Sequence, residues 1–282
     1  MDVRIGHTAL TWDVLARPER LSEAIADCAS LGFEGIETGG RVYDWWERER
    51  PGELRQLLEE ANLRLTCLFE FGTWTDPASA PALLEDAERW ANAVHSLGGS
   101  MLMLVPEGRS DDRPCGLDDF HQMADTMHRA GQVAIDAGIG ASMHPHWGTV
   151  VESRLEIDVL VDLLDPGLVG FAPDTGQIAK GGTDPAVTID RWVSRVTYVH
   201  LKDLSPAWEE MRRRGEPLRS PAGYAALGQG VIDIKPILQS LSSAGYTGWL
   251  MAELDESSEP AREAASHARD HLDRELARLR AG

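Results

Sequence analysis

The chain is poor in cysteine, in basic residues and in long apolar runs, and each shortage excludes something. Cys28, Cys67 and Cys115 are too few and too scattered for a disulfide framework or a zinc knuckle. Cys28 falls in a helical pattern and Cys67 in a strand-like one, so both read as core, and a reducing cytoplasm is expected. Only 27 Lys and Arg stand against 46 Asp and Glu, a formal net charge of −19. Recognition of a nucleic-acid backbone relies on a basic face, so no nucleic-acid partner is expected, and the acidity reads as solubility. MDVRIGHTAL at the start carries no apolar run of signal-peptide length, and no segment approaches the roughly 20 residues of a membrane-spanning helix. Nor does a Gly-x-Gly-x-x-Gly follow the first strand-like segment, which removes the main sign of a dinucleotide fold.

What is present is a hydrophobic fraction of 43% and a strict alternation of segment types. Apolar strand-like stretches at 5–10, 32–38, 64–72, 100–105, 140–146, 167–174, 196–203 and 247–254 alternate with helical patterns. The helical spacing covers roughly 18–31, 52–61, 81–97, 117–137, 154–164, 184–194, 234–244 and 259–279. Eight β-then-α units in one series predict an α/β chain folded as a closed (β/α)8 TIM barrel rather than an open doubly wound sheet. No linker or shift in composition divides the chain, so residues 1–282 are expected to form one domain.

Three late strands end in polar residues. VGFAPDTG ends in Asp174, VTYVHLKD in His200, Lys202 and Asp203, and GWLMAELD in Glu253. Buried polar groups cost desolvation energy unless something uses them, and strand C-termini are where such barrels build their sites. With His144 from the fifth strand, His144, Asp174, His200 and Glu253 form a candidate ligand set on neighbouring strands. Two imidazoles and two carboxylates suit Mn²⁺ or Co²⁺ first, then Fe²⁺, Zn²⁺ or Mg²⁺, rather than Ca²⁺. Singly, each also reads as a hydrogen-bonded buried histidine or a structural carboxylate. The interval from His200 to Glu253 is 53 residues, and its excess makes 204–230 a long loop after the seventh strand and a candidate lid.

Other strand-end residues are candidates for binding a polyol: Glu37, Glu70, Gln177, and the indoles Trp12, Trp74, Trp147 and Trp208. An indole offers an apolar face and one N–H to a hydroxyl-rich ligand, or else simply anchors a loop. A hydroxyl-rich ligand that also carries a carbonyl would react by first losing a proton α to it. Glu253 or His146 is the expected base, with Glu37 and Glu70 in reserve, and Lys202 is placed to stabilise the enolate or protonate a departing hydroxyl. Lys202 also admits Schiff-base chemistry, and His146 also reads as a partner that orients a ligand.

HPHWGTVVE at 144–152, DTGQIAKGGTDP at 174–185, HLKD at 200–203, LGQGVIDI at 227–234 and AGYTGWLMAELD at 244–255 carry a resemblance. Together with GFEGIE at 32–37, they make the chain similar to the sugar phosphate isomerase/epimerase superfamily of xylose isomerase-like barrels, and most like its inosose dehydratase group. The resemblance implies metal ligands at His144, Asp174, His200 and Glu253, with Lys202 near the substrate. It departs at His144, where many relatives have Glu, which breaks the paired glutamates of the epimerases and favours a dehydratase. It departs again at Gln177, where relatives show Asp-x-x-His, and an amide cannot relay a proton. The expectation is a metal-dependent lyase acting on a keto-polyol. The alternatives are a ketose isomerase or epimerase, eliminative cleavage of a 3-keto glycoside, and a sugar-binding partner subunit; self-association is left open.

Overall fold

The computed structural model describes residues 1–109, 115–214, 223–257 and 259–281, and of Glu70 and Glu209 the backbone alone. Eight parallel strands form the barrel among these residues: β1 (Arg4–Thr8), β2 (Gly35–Gly39), β3 (Arg64–Gly72), β4 (Met101–Pro106), β5 (Gly140–Met143), β6 (Gly170–Phe171), β7 (Val199–Leu204) and β9 (Trp249–Glu253). The order β6-β5-β4-β3-β2-β1-β9-β7 closes through single bridges, Phe171 to Val196 and Asp174 to His200. A ninth strand, β8 (Tyr224–Ala225), adds antiparallel to the end of β7.

The helices follow in chain order: α1 (Leu21–Ser30), α2 (Gly40–Glu49), α3 (Glu53–Ala61), α4 (Ala80–Ser96), α5 (Leu117–Asp136), α6 (Arg154–Leu163), α7 (Thr175–Lys180), α8 (Pro185–Arg191), α9 (Pro206–Arg213), α10 (Lys235–Ser243) and α11 (Ala261–Ala281). Local chemistry sets several starts. At α6, Ser153 and Glu156 close a capping box, the Glu156 carboxylate accepting from the Ser153 N–H at 2.8 Å. At α8, Asp184 caps the two N–H groups after Pro185.

Strand parity divides the apolar residues into two cores. Between barrel and helices lies the larger one, with Ile36, Leu65, Leu68, Leu102, Leu104, Val199, Leu201 and Leu250 from the strands. Inside the barrel a second cluster holds Cys67, Met101, Met103, Val105, Ala172, Tyr198, Trp249 and Met251. Glycine makes the inner packing possible: a Cβ at Gly35 would lie 2.2 Å from Thr66 and 2.8 Å from the Trp249 ring.

Asp203 has the opposite parity to His200 and Lys202 and turns away from the barrel axis to build a loop. Its buried carboxylate accepts from the N–H groups of Leu204, Gly228, Gly230 and Ile232 at 2.9–3.0 Å. A Cβ on Gly230 would collide with Asp203 and with the Leu204 carbonyl, at 2.3 and 2.2 Å. HLKD and LGQGVI are thus two halves of one fastening for the excursion after β7. That excursion, expected as a loop over 204–230, contains α9 and β8, while 215–222 lie outside the described residues. Among the described residues no helix is long and apolar enough to cross a membrane.

Candidate metal centre

Above the sulfur-rich interior, the next inward-facing residue on successive strands is polar. Glu37 follows Gly35, Asp174 follows Ala172, His200 follows Tyr198, and Glu253 follows Met251. One ligand atom each from His144, Asp174 and His200 lies within 4.8 Å of the other two, and all three residues are buried. The structure therefore gathers three of the four expected ligands in one set. Glu253, also buried, stands beside it, with Oε2 2.6 Å from His200 Nδ1.

Hydrogen bonds orient the two imidazoles. His200 Nε2 donates to Glu37 Oε2 at 2.9 Å, and Glu37 also accepts from the Tyr198 hydroxyl at 2.8 Å. His144 Nδ1 donates to the Ala172 carbonyl at 3.1 Å, leaving Nε2 with its lone pair. A carboxylate or carbonyl behind each ring is the arrangement that prepares histidine for a metal.

The fit to a cation rests on charge and on unpartnered atoms. Glu37, Asp174 and Glu253 are all buried, with Asp255 beside them, against the ammonium groups of Lys202 and, behind the Tyr224 ring, Lys180, and the His200 ring. His200 Nδ1 and Glu253 Oε2 face each other at 2.6 Å as an ion pair. Asp174 Oδ2 and Glu37 Oε1 are buried without a hydrogen-bond partner among the described residues. Buried lone pairs and surplus negative charge are costly unless paired, and nitrogen and carboxylate oxygen together are a borderline-soft donor set.

The ionisation of the site shows the same surplus. Burial lifts the Asp174 carboxyl to about 7, with Glu253 adding to the rise and Lys202 opposing it. Burial alone would lower His200, but the Glu37 and Glu253 carboxylates outweigh it and hold its pKa well above the ordinary value. His144 is pushed well down by burial and by neighbouring His200, so it is a neutral imidazole.

Lys202 is fully buried and bonds Glu253 Oε1 at 2.8 Å and Asp255 Oδ1 at 2.7 Å. Its Nζ is 3.9 Å from Asp174 Oδ2 and 4.2 Å from the centre of the Tyr224 ring. Burial would lower it, yet Asp255 and Glu253 raise its pKa well above that of a free lysine. A permanently charged ammonium is no nucleophile, which removes the Schiff-base alternative.

An inner cavity of 40 Å³ opens over these residues and is lined by Glu37, Phe69, Phe71, His144, His146, His200, Glu253 and Asp255, among others. It continues into an outer chamber of 310 Å³ walled by Leu10, Leu15, Phe69 and Phe71, with Asp13, His146, Asp255 and Glu256 at its polar side. The apolar wall is not made of tryptophan. Trp12 is buried and donates to Asp27 at 3.0 Å; Trp74 is buried and donates to the Val105 carbonyl at 2.8 Å. Trp208 is buried against Trp147 under the Lys180 ammonium. These indoles anchor loops and helices outside the cavity. Phe69 and Phe71 take the wall position because β3 is nine residues long and carries its inward-facing side chains up to the mouth. The alternation Cys67, Phe69, Phe71 was the available signal for them. The side chain of Glu70 lies outside the described residues.

His146 and Gln177 are half-buried and buried neighbours of the cavity. Gln177 does not enter the cavity lining: its amide lies behind His146, 2.9 Å from Nε2. His146 Nδ1 faces the Trp147 carbonyl at 2.7 Å, so both ring nitrogens are engaged. Burial pushes its pKa down to about 4.

The profile of the family described as Xylose isomerase-like TIM barrel matches residues 25–275. Inosose dehydratase of Geobacillus kaustophilus (strain HTA426) is 28% identical over 294 aligned positions, covering 96% of this chain and 94% of that one. Inosose dehydratase of Clostridium botulinum (strain Alaska E43 / Type E3) is 27% identical, with 90% of each chain covered. Among solved structures, the IolI protein with a bound zinc atom superposes with a TM-score of 0.79 at 14% identity, over 98% of this chain and 99% of that one. The probable 3-DHS dehydratase AsbF of Bacillus anthracis gives 0.76 at 13% identity, over 96% and 99%. These structural likenesses carry the fold.

Proposed function

Because the chain belongs to the xylose isomerase-like TIM barrel family, we propose that it is a divalent-metal-dependent dehydratase acting on a keto-polyol of the keto-inositol or keto-sugar type. It is an enzyme of the class that holds the dehydratases, isomerases and epimerases it resembles. The observation that carries the reading is the buried His144, Asp174 and His200 set, with unpartnered lone pairs, on the floor of a small-molecule cavity. His144, Asp174 and His200 would hold the ion; Glu253, expected as a fourth ligand, is assigned instead to the base, because its Oε1 is bonded to Lys202 and Oε2 alone is left to the cavity. When bound, a divalent ion supplies Lewis acidity to a substrate carbonyl and its neighbouring hydroxyl.

The chain's own groups do the rest. Glu253 faces the cavity and is held by Lys202 through its other oxygen, so it is the group placed to take the proton α to the carbonyl. His146, with both nitrogens engaged, is not. Asp255 lines the cavity, and burial raises its carboxyl pKa above the ordinary value while Lys202 opposes the rise, so Asp255 is the group placed to protonate the departing hydroxyl, with Lys202 holding it in position. Loss of the α-proton and of a β-hydroxyl as water completes a dehydration. Phe69, Phe71, Leu10 and Leu15 cover the C–H face of the substrate and limit water around it.

One observation favours a second reading. Leu15 and Phe71 are 59% and 54% exposed at the edge of the outer chamber. They leave room for a leaving group larger than water, as in eliminative cleavage of a 3-keto glycoside. Proton NMR in D₂O decides between them. The Zn²⁺- or Mg²⁺-loaded protein is given keto-inositols, free ketoses and 3-keto glycosides. Metal-dependent loss of an α-proton signal supports enolate chemistry, and the product identifies dehydration, cleavage or isomerisation. No exchange on any substrate would reject the proposal and leave a sugar-binding subunit as the alternative; exchange that survives Glu253→Gln would reject Glu253 as the base.

A further inference from the structure

Gln177 sits at a junction of three hydrogen bonds. Its Oε1 accepts from the Tyr224 hydroxyl at 2.8 Å and from the Trp147 N–H at 3.3 Å, and its Nε2 lies 2.9 Å from His146 Nε2. The direction of each bond follows from the partners. A backbone N–H can only donate, so the amide must turn its oxygen to Trp147 and its NH₂ to His146. An NH₂ can only donate, so His146 Nε2 must be the acceptor. The ring proton is therefore on Nδ1, where the Trp147 carbonyl accepts it at 2.7 Å. Trp147 thus reads both ends of the arrangement, its N–H setting the amide and its C=O receiving the imidazole proton.

Tyr224 belongs to β8, the strand that returns from the excursion after β7. Its ring lies between two ammonium groups, with Lys180 Nζ 3.4 Å and Lys202 Nζ 4.2 Å from its centre. At the other end of the chain of bonds, the His146 ring packs edge-on against Phe71 at 5.5 Å and forms cavity wall.

We propose that Gln177 is a positioning residue that holds His146 in the Nδ1–H tautomer, and that Tyr224 sets the Gln177 amide from the excursion after β7. His146 is thereby a wall of the cavity with no free lone pair, and proton abstraction is left to a carboxylate. The effect on turnover rests on the dehydratase reading; the tautomer does not.

The test is long-range ¹H–¹⁵N correlation of the histidine rings in metal-free protein, with His146 assigned by the signal lost in His146→Asn. The wild type is expected to show a protonated Nδ1 and an unprotonated Nε2. Gln177→Glu keeps the shape and still accepts from Trp147 and Tyr224, but it has no proton to offer, so Nε2 is expected to carry a proton as well, with Nδ1–H still held by the Trp147 carbonyl. A wild-type ring protonated on Nε2, or an unchanged pattern in Gln177→Glu, overturns the proposal. Tyr224→Phe leaves the amide to the longer Trp147 bond alone and is expected to show both tautomers; a single unchanged tautomer would remove Tyr224 from the device. With an active wild type, both variants are expected to lose about 10-fold or more in kcat/KM, the range for partners that orient site residues. Loss of activity in the wild type itself would fail the dehydratase reading and leave the NMR result standing.

Discussion

Replacing Lys202 by Met tests whether the site is built around surplus negative charge. The ammonium is fully buried, bonds Glu253 at 2.8 Å and Asp255 at 2.7 Å, and lies 3.9 Å from Asp174. Unit charges about 4 Å apart attract by about 4 kcal/mol at an effective dielectric near 20. Asp255 is partly exposed and regains water, so it adds little; Glu253 and Asp174 stay buried and stranded. Removing one partner of a buried pair costs about 3–5 kcal/mol, and that is the loss expected from urea unfolding of the metal-free protein at pH 7. The double variant Lys202→Met, Glu253→Gln strands less charge and should be more stable than Lys202→Met alone. A loss below about 1 kcal/mol, the value of an exposed pair, would refute the reasoning. So would a double variant no better than the single one.

Three further outcomes follow from other parts of the molecule. Gly230→Ala forces a Cβ against the Asp203 carboxylate and the Leu204 carbonyl, and overpacking of this kind should cost about 1–3 kcal/mol in urea unfolding. His7 is buried and neutral: burial lowers its pKa from 6.5 to about 4. The folded state therefore binds fewer protons there, so the contribution is whole above pH 6.5 and is lost as pH falls toward 4. It amounts to at most about 3 kcal/mol at 1.36 kcal/mol per unit, and His7→Gln should flatten the stability–pH curve in that window. Mn²⁺ at a hundredfold excess over its Kd should stabilise the EDTA-treated wild type by about 2.7 kcal/mol, and calorimetry should show this gain abolished in His200→Ala.

The barrel was legible because eight repeats of strand and helix leave few topologies, and the ligand strands because each passes from apolar to polar at its end. The tryptophans were misleading. Their place in βα loops pointed to the mouth, but a bulky ring in such a loop is equally served by wedging between helices, as Trp12 and Trp74 do with their N–H groups satisfied by Asp27 and Val105. The helix α2 was not read, since GRVYDWWERE (40–49) looks like loop when judged by its glycine and its aromatic run. The bonds joining Tyr224, Gln177 and His146 span 78 residues from His146 to Tyr224, and no local pattern announces a contact made only when the excursion folds back.

HLKD shows how far parity alone can go. His200 and Lys202 share a face and enter the buried charge network, while Asp203, one residue on, points away and ties four loop N–H groups. The carboxylate of Asp203 and that of Asp174 are both fully buried, but their partners differ. Asp203 is surrounded by fixed backbone donors, which satisfy it completely and make it structural. Asp174 has one backbone donor, from Gln177 at 2.9 Å, and a second oxygen with none. A buried oxygen without a donor is costly unless the carboxyl takes up a proton or a cation pairs with it. The inward parity of Asp174 and its unpartnered oxygen thus support its proposed role as a ligand, and the donors around Asp203 identify it as a fastener. That distinction lies in the number of N–H groups around each carboxylate and not in the residue type.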